Sequence, residues 1–328
     1  MSRRKIVFMC TLFLFVLLIS CRKSRRHAMP ARSVHIEQQT EVSTSSDYEE
    51  DPSSDELDVV EDELDKKKDD KIIDNADENI LIPKIKVDLQ SHILYRIAYV
   101  TSYNSSTRNP NWVAWELTRE HTDGSYPRKG VPYYAEDGSV LGIGNITVET
   151  FRNGYFVDQE LEGPRQEHSD WQEHPTNIEH GHMCPAADNK WDKAAMNQSF
   201  LLTNMCPQDG TLNGGGWKKL EEKCRSWAIR YGQIYIIAGP VYSGNNQQTF
   251  GVHKIPIPDA FFKVVLCLQG KPKAIGFFYN NDSSNQPMRN QVRSVDEIES
   301  ITGFDFFSSL PDELEDAIEA LSDFGEWR

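Results

Sequence analysis

The sequence predicts an α+β fold, because two kinds of pattern occur along the chain without regular alternation. Short β-branched or aromatic runs bounded by Gly, Pro, Asn or Asp recur after residue 80, which is typical of strands. One longer stretch has its apolar residues at helical spacing. The order is not that of βαβ units, so we expect a single domain of mixed strands and helices over residues 80–328.

The predicted strands are Leu94–Ser102, Trp112–Leu117, Ile178–Met183, Ser199–Thr203, Ile234–Val241, Phe261–Cys267 and Ala274–Tyr279. Residues 120–148 are rich in turn-forming residues. The clearest helix prediction is Trp217–Tyr231, in which Leu220, Cys224 and Trp227 lie on one apolar stripe. A second helix is predicted over Pro311–Leu321, because acidic residues occupy its first turn, where the helix dipole favours them.

Charge is distributed unevenly along the 328 residues, whose net formal charge is −15. Such acidity is unusual in a nucleic-acid-binding protein, because phosphate contacts need Lys and Arg. However, residues 41–79 carry a net −13 and residues 296–328 a net −10, whereas residues 80–295 carry +1. The central part is therefore nearly neutral and can hold a local basic groove. Six cysteines are too few for a disulfide scaffold.

The N-terminus has the pattern of a secretory signal over residues 1–20, with Arg3-Arg4-Lys5 before the apolar run Ile6–Ile19. This run is the only long apolar one, so a polytopic membrane protein is excluded. The end of the signal resembles the lipobox of bacterial lipoproteins, which implies an exported protein anchored to the bacterial envelope by a lipid on Cys21. A plain signal peptide and an uncleaved anchor remain alternatives. Residues 21–79 are polar and acidic, which predicts a disordered tether.

Residues that can carry chemistry are concentrated between positions 179 and 225. The three runs are EHGHMCPAAD from Glu179, NQSFLLTNMCPQ from Asn197, and NGGGWKKLEEKCR from Asn213. In order and spacing they resemble the DNA/RNA non-specific endonucleases of the ββα-metal (His-Me finger) superfamily, whose pattern is D-R-G-H, T/S-N-x-x-P-Q and N-x-G-x-W-x-x-L-E followed by Arg. The resemblance extends from about Tyr95 to Leu321.

The resemblance implies a ββα-metal fold, with a central antiparallel sheet flanked by helices. It also implies an endonuclease that hydrolyses DNA and RNA with Mg²⁺, with Mn²⁺ as the alternative metal, and leaves the phosphate on the 5′ side. His182 would be the general base, since imidazole has an ordinary pKa near working pH. Asn213 would hold the metal through a hard amide oxygen, Glu221 would hold metal-bound water, and Arg225 would contact the phosphate. Without the preceding NGGGW run, Glu221 and Arg225 would be an ordinary surface ion pair.

Two further residues take roles by resemblance. Asn204 would orient the catalytic loop or support the transition state; the alternative is a loop asparagine that closes a turn. The segment Phe151–Asp158 resembles the family's R-x-x-F/W-x-x-D segment, which makes Arg152 a candidate second phosphate contact.

The sequence departs from the family pattern at Glu179 and His180, which replace Asp and Arg. If His180 must be charged, cleavage should be favoured at mildly acidic pH. The same departure allows a zinc site made by His180, His182 and Cys184, which would share one face of a strand. A disulfide between Cys184 and Cys206 also stays open.

Two other functions remain open at this point. A catalytically weakened nuclease-fold lipoprotein would bind nucleic acid or another partner without turnover. A narrower phosphodiesterase would act on small nucleotides.

Overall fold

The computed structural model describes residues 79–128, 130–144, 150–244 and 247–327. The predicted signal and nearly all of the predicted tether lie outside these residues, as does Cys21. Within the described part of the chain, no helix is both long enough and apolar enough to cross a membrane.

The longest strands of the described residues belong to the central sheet. They are β1 (Lys84–Ile85), β2 (His92–Tyr95), β3 (Val100–Asn104), β4 (Asn109–Thr118), β5 (Phe151–Arg152), β6 (Tyr155–Phe156), β7 (Ile178–His182), β8 (Met205–Asp209), β9 (Gln233–Val241), β10 (Thr249–Phe250), β11 (Ile255–Pro256), β12 (Ala260–Cys267), β13 (Lys273–Asn280), β14 (Val292–Arg293) and β15 (Phe304–Asp305). The α-helices are α1 (Arg119–Thr122), α2 (Lys193–Gln198), α3 (Gly210–Leu212), α4 (Lys218–Tyr231), α5 (Val295–Thr302) and α6 (Asp312–Glu319). A π-helical turn, Asn213–Trp217, leads directly into α4.

The centre of the fold is a seven-stranded antiparallel sheet in the order β14-β13-β12-β9-β4-β3-β2. Alternate residues of its strands enter two separate hydrophobic clusters, as the two-residue period of a strand requires. On β4, Val113 and Trp115 belong to one cluster, whereas Trp112 and Ala114 belong to the other. Both faces of the sheet are therefore buried.

Each face is covered by different helices. Leu220, Cys224 and Trp227 of α4 pack in the first cluster, on what we call the α4 face. Val295 of α5 and Ile318 of α6 pack in the second cluster, on the opposite face. The α+β architecture with a central antiparallel sheet and flanking helices is thus confirmed.

Most predicted elements are present, with two corrections. The predicted strand Leu94–Ser102 is a hairpin of β2 and β3, because the chain reverses between Tyr95 and Val100. The predicted strand Ser199–Thr203 is wrong: Ser199 ends α2, and a 3₁₀ turn begins at Leu202. Its apolar residues are buried in a turn, and burial alone produced the strand-like pattern.

Candidate active site

A ββα unit on the α4 face carries the residues predicted to do chemistry. Strands β7 and β8 pair antiparallel, with Glu179 opposite Gln208 and His182 opposite Met205. The two strands approach closely at Gly181, where a Cβ atom would lie 2.6 Å from the Cβ of Gln208. Glycine is therefore required there by space, and it sets the position of the neighbouring His182.

The strand ends and the start of α4 surround a cleft of about 600 Å³. Six of the predicted site residues line it: Glu179, His180, His182, Asn213, Glu221 and Arg225. Further cations line it as well, namely Arg128, Lys190 and Lys218. A cleft with this lining is suited to an anionic ligand.

His182 has a ring nitrogen available for proton transfer. Its Nε2 is buried and has no hydrogen-bond partner among the described residues, and the ring lies edge-on to Phe200 at a centroid distance of 5.2 Å. Trp217 Nε1 donates to the His182 backbone oxygen over 3.2 Å, which ties β7 to the start of α4. Burial, and secondarily Arg128, lowers the pKa of His182 to about 3. The imidazole is therefore neutral near pH 7 and can accept a proton.

Asn213 is held by Glu179. Its Nδ2 donates to Glu179 Oε2 over 2.8 Å, so the remaining amide heteroatom is the oxygen Oδ1. Asn213 begins the π-helical turn, whose Gly216 lies against Tyr279 so closely that a Cβ would be 2.9 Å from Cε1 of the ring. The turn thus packs on the central sheet and fixes where Asn213 stands.

Arg225 pairs with Asp188 and not with Glu221. Its Nη1 is 2.8 Å from Asp188 Oδ1, and Trp115 Nε1 donates to the other oxygen of that carboxylate over 3.1 Å. Burial lowers the pKa of Arg225, but Asp188 together with Glu221 outweighs burial, so the pKa is raised. Among the described residues, no ion pair joins Glu221 to Arg225, so the surface-pair alternative does not describe this site.

Lys263 supplies a buried charge behind the cleft. It is fully buried on β12, and its Nζ has no hydrogen-bond partner in the part of the chain that the structure describes. The ammonium lies 4.4 Å from the ring centroid of Trp217 and 5.1 Å from that of Trp115, which is cation–π geometry. Burial raises the pKa of Glu221 to about 7, and Lys263 opposes that rise.

Asn204 is buried behind the catalytic loop. Its Oδ1 accepts from Cys184 N over 2.9 Å, and its Nδ2 donates to the backbone oxygens of Cys184 and Ser199 over 2.8 and 2.9 Å. All three bonds are to main-chain atoms: two belong to Cys184, just after His182, and one belongs to Ser199, shortly before Asn204. The contacts suit the loop-orienting role, and the side chain does not line the cleft.

His180 is held between two aromatic rings. It stacks on Tyr155 at 3.9 Å and on Trp171 at 3.5 Å between ring centroids. Burial, followed by the neighbouring His182, lowers its pKa to about 3. The lowered pKa and the two stacked rings favour a neutral His180 at mildly acidic pH, and the acidic optimum expected if His180 must be charged stays a prediction.

Arg152 lies apart from these residues. It is exposed on β5, opposite Tyr155 on β6, and it does not line the cleft. The structure brings Tyr155 and not Arg152 into the site.

Neither cysteine alternative fits the geometry. Within the described residues, a set of three His, Cys, Asp or Glu ligand atoms within 4.8 Å occurs only at Asp296, Glu299 and Glu319, so His180, His182 and Cys184 do not converge on a zinc site. The Cys184 and Cys206 thiols are both buried and free, and Asn189 Nδ2 donates to Cys184 Sγ over 3.3 Å.

Several site residues carried no recognisable signal in the sequence. Asp188 ends the first quoted run, yet nothing in its spacing predicts a partner in Arg225. The remaining ones, Arg128, Tyr155, Trp171 and Lys263, come from four separate parts of the chain.

Comparisons with known proteins identify one family and several nucleases that resemble this chain. The model of the family described as DNA/RNA non-specific endonuclease matches residues 76–313. The chain is 27% identical to a nuclease of Nostoc sp. over 255 residues, covering 73% of this chain and 81% of the relative. It is 26% identical to the human mitochondrial Nuclease EXOG over 65% of this chain and 27% identical to the bovine mitochondrial Endonuclease G over 52%.

The mitochondrial relatives are longer than the matched region: this chain covers 56% of human Nuclease EXOG and 52% of bovine Endonuclease G. A solved structure of an EndoG/EndoGI complex is similar in fold, with a TM-score of 0.56 and 21% identity. The similarity covers 68% of this chain and 89% of that one.

Proposed function

This chain belongs to the DNA/RNA non-specific endonuclease family, whose model matches residues 76–313, and from that premise we propose a Mg²⁺-dependent endonuclease acting on both DNA and RNA. One observation carries the proposal. His182, Asn213 and Arg225 line a single cleft, and the buried Nε2 of His182 has no hydrogen-bond partner among the described residues. A base, a metal ligand and a phosphate-binding cation are the three parts that phosphodiester hydrolysis needs.

The donor set suits a hard divalent cation. Because Glu179 holds the Asn213 amino group, the carbonyl oxygen of Asn213 remains for a metal. Glu221 adds a carboxylate that lines the same cleft. Mg²⁺, when bound there, would stabilise negative charge on the phosphoryl and leaving oxygens. Mn²⁺ prefers the same oxygen donors and should substitute.

His182 would take the proton from the attacking water. Its lowered pKa keeps the imidazole neutral, so that one ring nitrogen can accept a proton, and a bound phosphate would raise that pKa by placing an anion nearby. The ring would therefore become a better proton acceptor when substrate is present. Phe200 and the Trp217 hydrogen bond to the backbone limit the movement of His182.

Arg225 would orient the scissile phosphate. One N–H bond to Asp188 fixes the guanidinium and leaves its other N–H groups for phosphate oxygens. Arg128, Lys190 and Lys218 would contact neighbouring phosphates along the cleft. Contacts of this kind carry no base information, which is consistent with low sequence specificity.

Export and anchoring through a lipid on Cys21 form a separate proposal that rests on the sequence alone. In a bacterial host, metabolic labelling with a fatty acid should mark the wild-type chain and not a Cys21→Ser variant. Labelling of both chains, or of neither, would contradict the anchor.

The activity is tested on the full chain in detergent with plasmid DNA and with RNA. Mg²⁺ or Mn²⁺ should support cleavage of both polymers, and EDTA should abolish it. His182→Ala should lower the rate about 10²- to 10⁴-fold, the contribution typical of a general base. His92→Ala is the matched control, because His92 lies on the far strand β2, outside the cleft.

The other outcomes discriminate between the alternatives. Binding of DNA or RNA without cleavage in any divalent metal would replace the enzyme with a binding protein. Cleavage of small phosphodiesters but of neither polymer would indicate the narrower phosphodiesterase.

A further inference from the structure

Three carboxylates meet on the face of the sheet opposite the cleft. Asp296 and Glu299 lie one turn apart on α5, and Glu319 is the last residue of α6. One oxygen of each lies within 4.8 Å of an oxygen of the other two. We call these residues the α5–α6 cluster. None of them lines the cleft that holds His182.

Glu319 distinguishes this cluster from an ordinary acidic surface. Its relative exposure is only 3%, and its Oε1 is buried without a hydrogen-bond partner among the described residues. Buried polar atoms are nearly always satisfied, so an unsatisfied carboxylate oxygen calls for a ligand. The position is also unfavourable electrostatically, because the C-terminal end of a helix repels negative charge.

The nearby lysine does not compensate for Glu319. Lys86 Nζ lies 3.8 Å from Glu299 and 3.2 Å from Asp305, and 57% of its side chain is exposed. No ion pair joins it to Glu319 in the described structure. Burial, with Glu299 as the next cause, raises the pKa of Glu319 to about 9.

Glu299 is fixed in place before any ligand arrives. Its Oε1 accepts from the Phe306 backbone N–H over 2.6 Å, which attaches α5 to the segment that precedes α6. Asp296 is exposed and leaves one side of the cluster open to water. The cluster therefore has a buried wall, a fixed ligand and an open side.

We propose that the α5–α6 cluster binds one divalent cation, Ca²⁺ in preference to Mg²⁺, through Asp296, Glu299 and Glu319. Ca²⁺ lies about 2.4 Å from its ligands, so a single ion reaches oxygens up to about 4.8 Å apart. Mg²⁺ requires shorter bonds and near-octahedral geometry, and it gives up its water reluctantly. Binding to the buried Glu319 would require the ion to lose water, which disfavours Mg²⁺. Water would complete the Ca²⁺ shell on the Asp296 side.

The bound ion would clamp the two helices together at the end of the chain. α5 and α6 both pack against the central sheet through Ile298 and Ile318. A cation between them would remove the repulsion among three carboxylates that folding brings together. This role is separate from the proposed nuclease function, and either can fail without the other.

The test uses a full-chain variant that carries Asn213→Ala and Glu221→Gln, studied in detergent. These two substitutions remove the proposed catalytic metal ligands. Calorimetric titration with CaCl₂ should give one site per chain, and Ca²⁺ should raise the Tm. Adding Glu319→Gln should weaken binding roughly tenfold or more and remove the Tm response, because Ca²⁺ affinity depends on the number of charged ligands. Asp296→Asn should also weaken Ca²⁺ binding, and because Asp296 is exposed this substitution does not disturb the core.

Asp316→Asn is the matched control, since it removes one negative charge from the exposed side of the same helix. It should leave Ca²⁺ binding and the Tm response unchanged. The proposal is overturned by absence of Ca²⁺ binding up to about 10 mM, well above the weakest calcium modules. It is equally overturned if the Glu319→Gln and Asp316→Asn variants respond to Ca²⁺ alike. Near-ultraviolet circular dichroism in chelator verifies that each variant is folded.

Discussion

Asn213 Nδ2 and Glu179 Oε2 are 2.8 Å apart, and this contact joins the π-helical turn to strand β7. The bond decides which atom of the amide is left for a metal. Glu179 replaces the family aspartate at this position, and its longer side chain still reaches a partner. The carboxylate therefore acts on the site through Asn213.

Glu179→Ala should lower metal-dependent activity about 10- to 100-fold, as is typical when the partner of a metal ligand is removed. The loss should be partly restored by raising the Mg²⁺ concentration, because the Asn213 side chain is still present. Activity against Mg²⁺ concentration measures this, with the exposed Glu173→Ala as control. A loss of activity without any change in Mg²⁺ dependence would contradict the positioning role.

Asp188→Asn should destabilise the fold by about 3 kcal/mol, because it leaves the Arg225 guanidinium without its anion in a largely buried position. The side chains of Asp188 and Arg225 are 1% and 19% exposed. Urea unfolding measures the change. Glu167→Gln, which breaks the more exposed pair with Arg165, should cost about 0–1 kcal/mol. Equal losses in the two variants would show that burial of the Asp188 pair does not matter.

Gly181→Ala should cost about 1–3 kcal/mol, the usual range for overpacking. The added Cβ would lie 2.5 Å from Gln208 Oε1 and 2.6 Å from its Cβ, so β7 and β8 would have to separate. Activity should fall together with stability, because His182 is the next residue. Gly130→Ala is the control, because an added Cβ at Gly130 would meet no atom of the described residues within 4 Å, apart from its chain neighbours. Gly270→Ala is unsuitable, since the φ of +72° there would strain any side chain.

His180→Phe should make stability less dependent on pH between about 6.5 and 3. The folded-state pKa of His180 is about 3, below the ordinary value near 6.5, so the unfolded state binds the proton more tightly. The stability that His180 provides is complete above pH 6.5 and is lost as pH falls through this window. Phenylalanine keeps the stacking on Tyr155 and Trp171 without the proton. Urea midpoints at neutral and acidic pH measure the slope, and identical slopes in both proteins would refute the argument.

The spacing of apolar residues along the chain predicted those elements that bury one regular face. The Leu220, Cys224 and Trp227 stripe identified α4 because one helix face is buried against the sheet. The strand predicted at Ser199–Thr203 failed because Leu201 and Leu202 are buried in a turn, and burial looks the same in sequence whether or not a strand forms.

Contacts between distant parts of the chain could not be predicted from the sequence. The sequence left open whether His180 must be charged, and it did not predict that Tyr155 and Trp171 enclose the ring from two other segments. Lys263 lies within a continuous apolar run on β12, where the strand pattern predicts only core residues. The resemblance to a family identified the cleft residues, whereas the structure was needed to identify what supports them.

The three amide hydrogen bonds of Asn204 to main-chain atoms, with the tryptophan bond to the His182 backbone, have a consequence for how a ligand is accommodated. A loop braced in this way has little conformational freedom left to lose on binding, so the protein side of the encounter is preorganised. Any conformational change on binding is then expected in the nucleic acid and not in this loop. Single strands bend at small cost, whereas a duplex with a persistence length of about 150 base pairs resists bending.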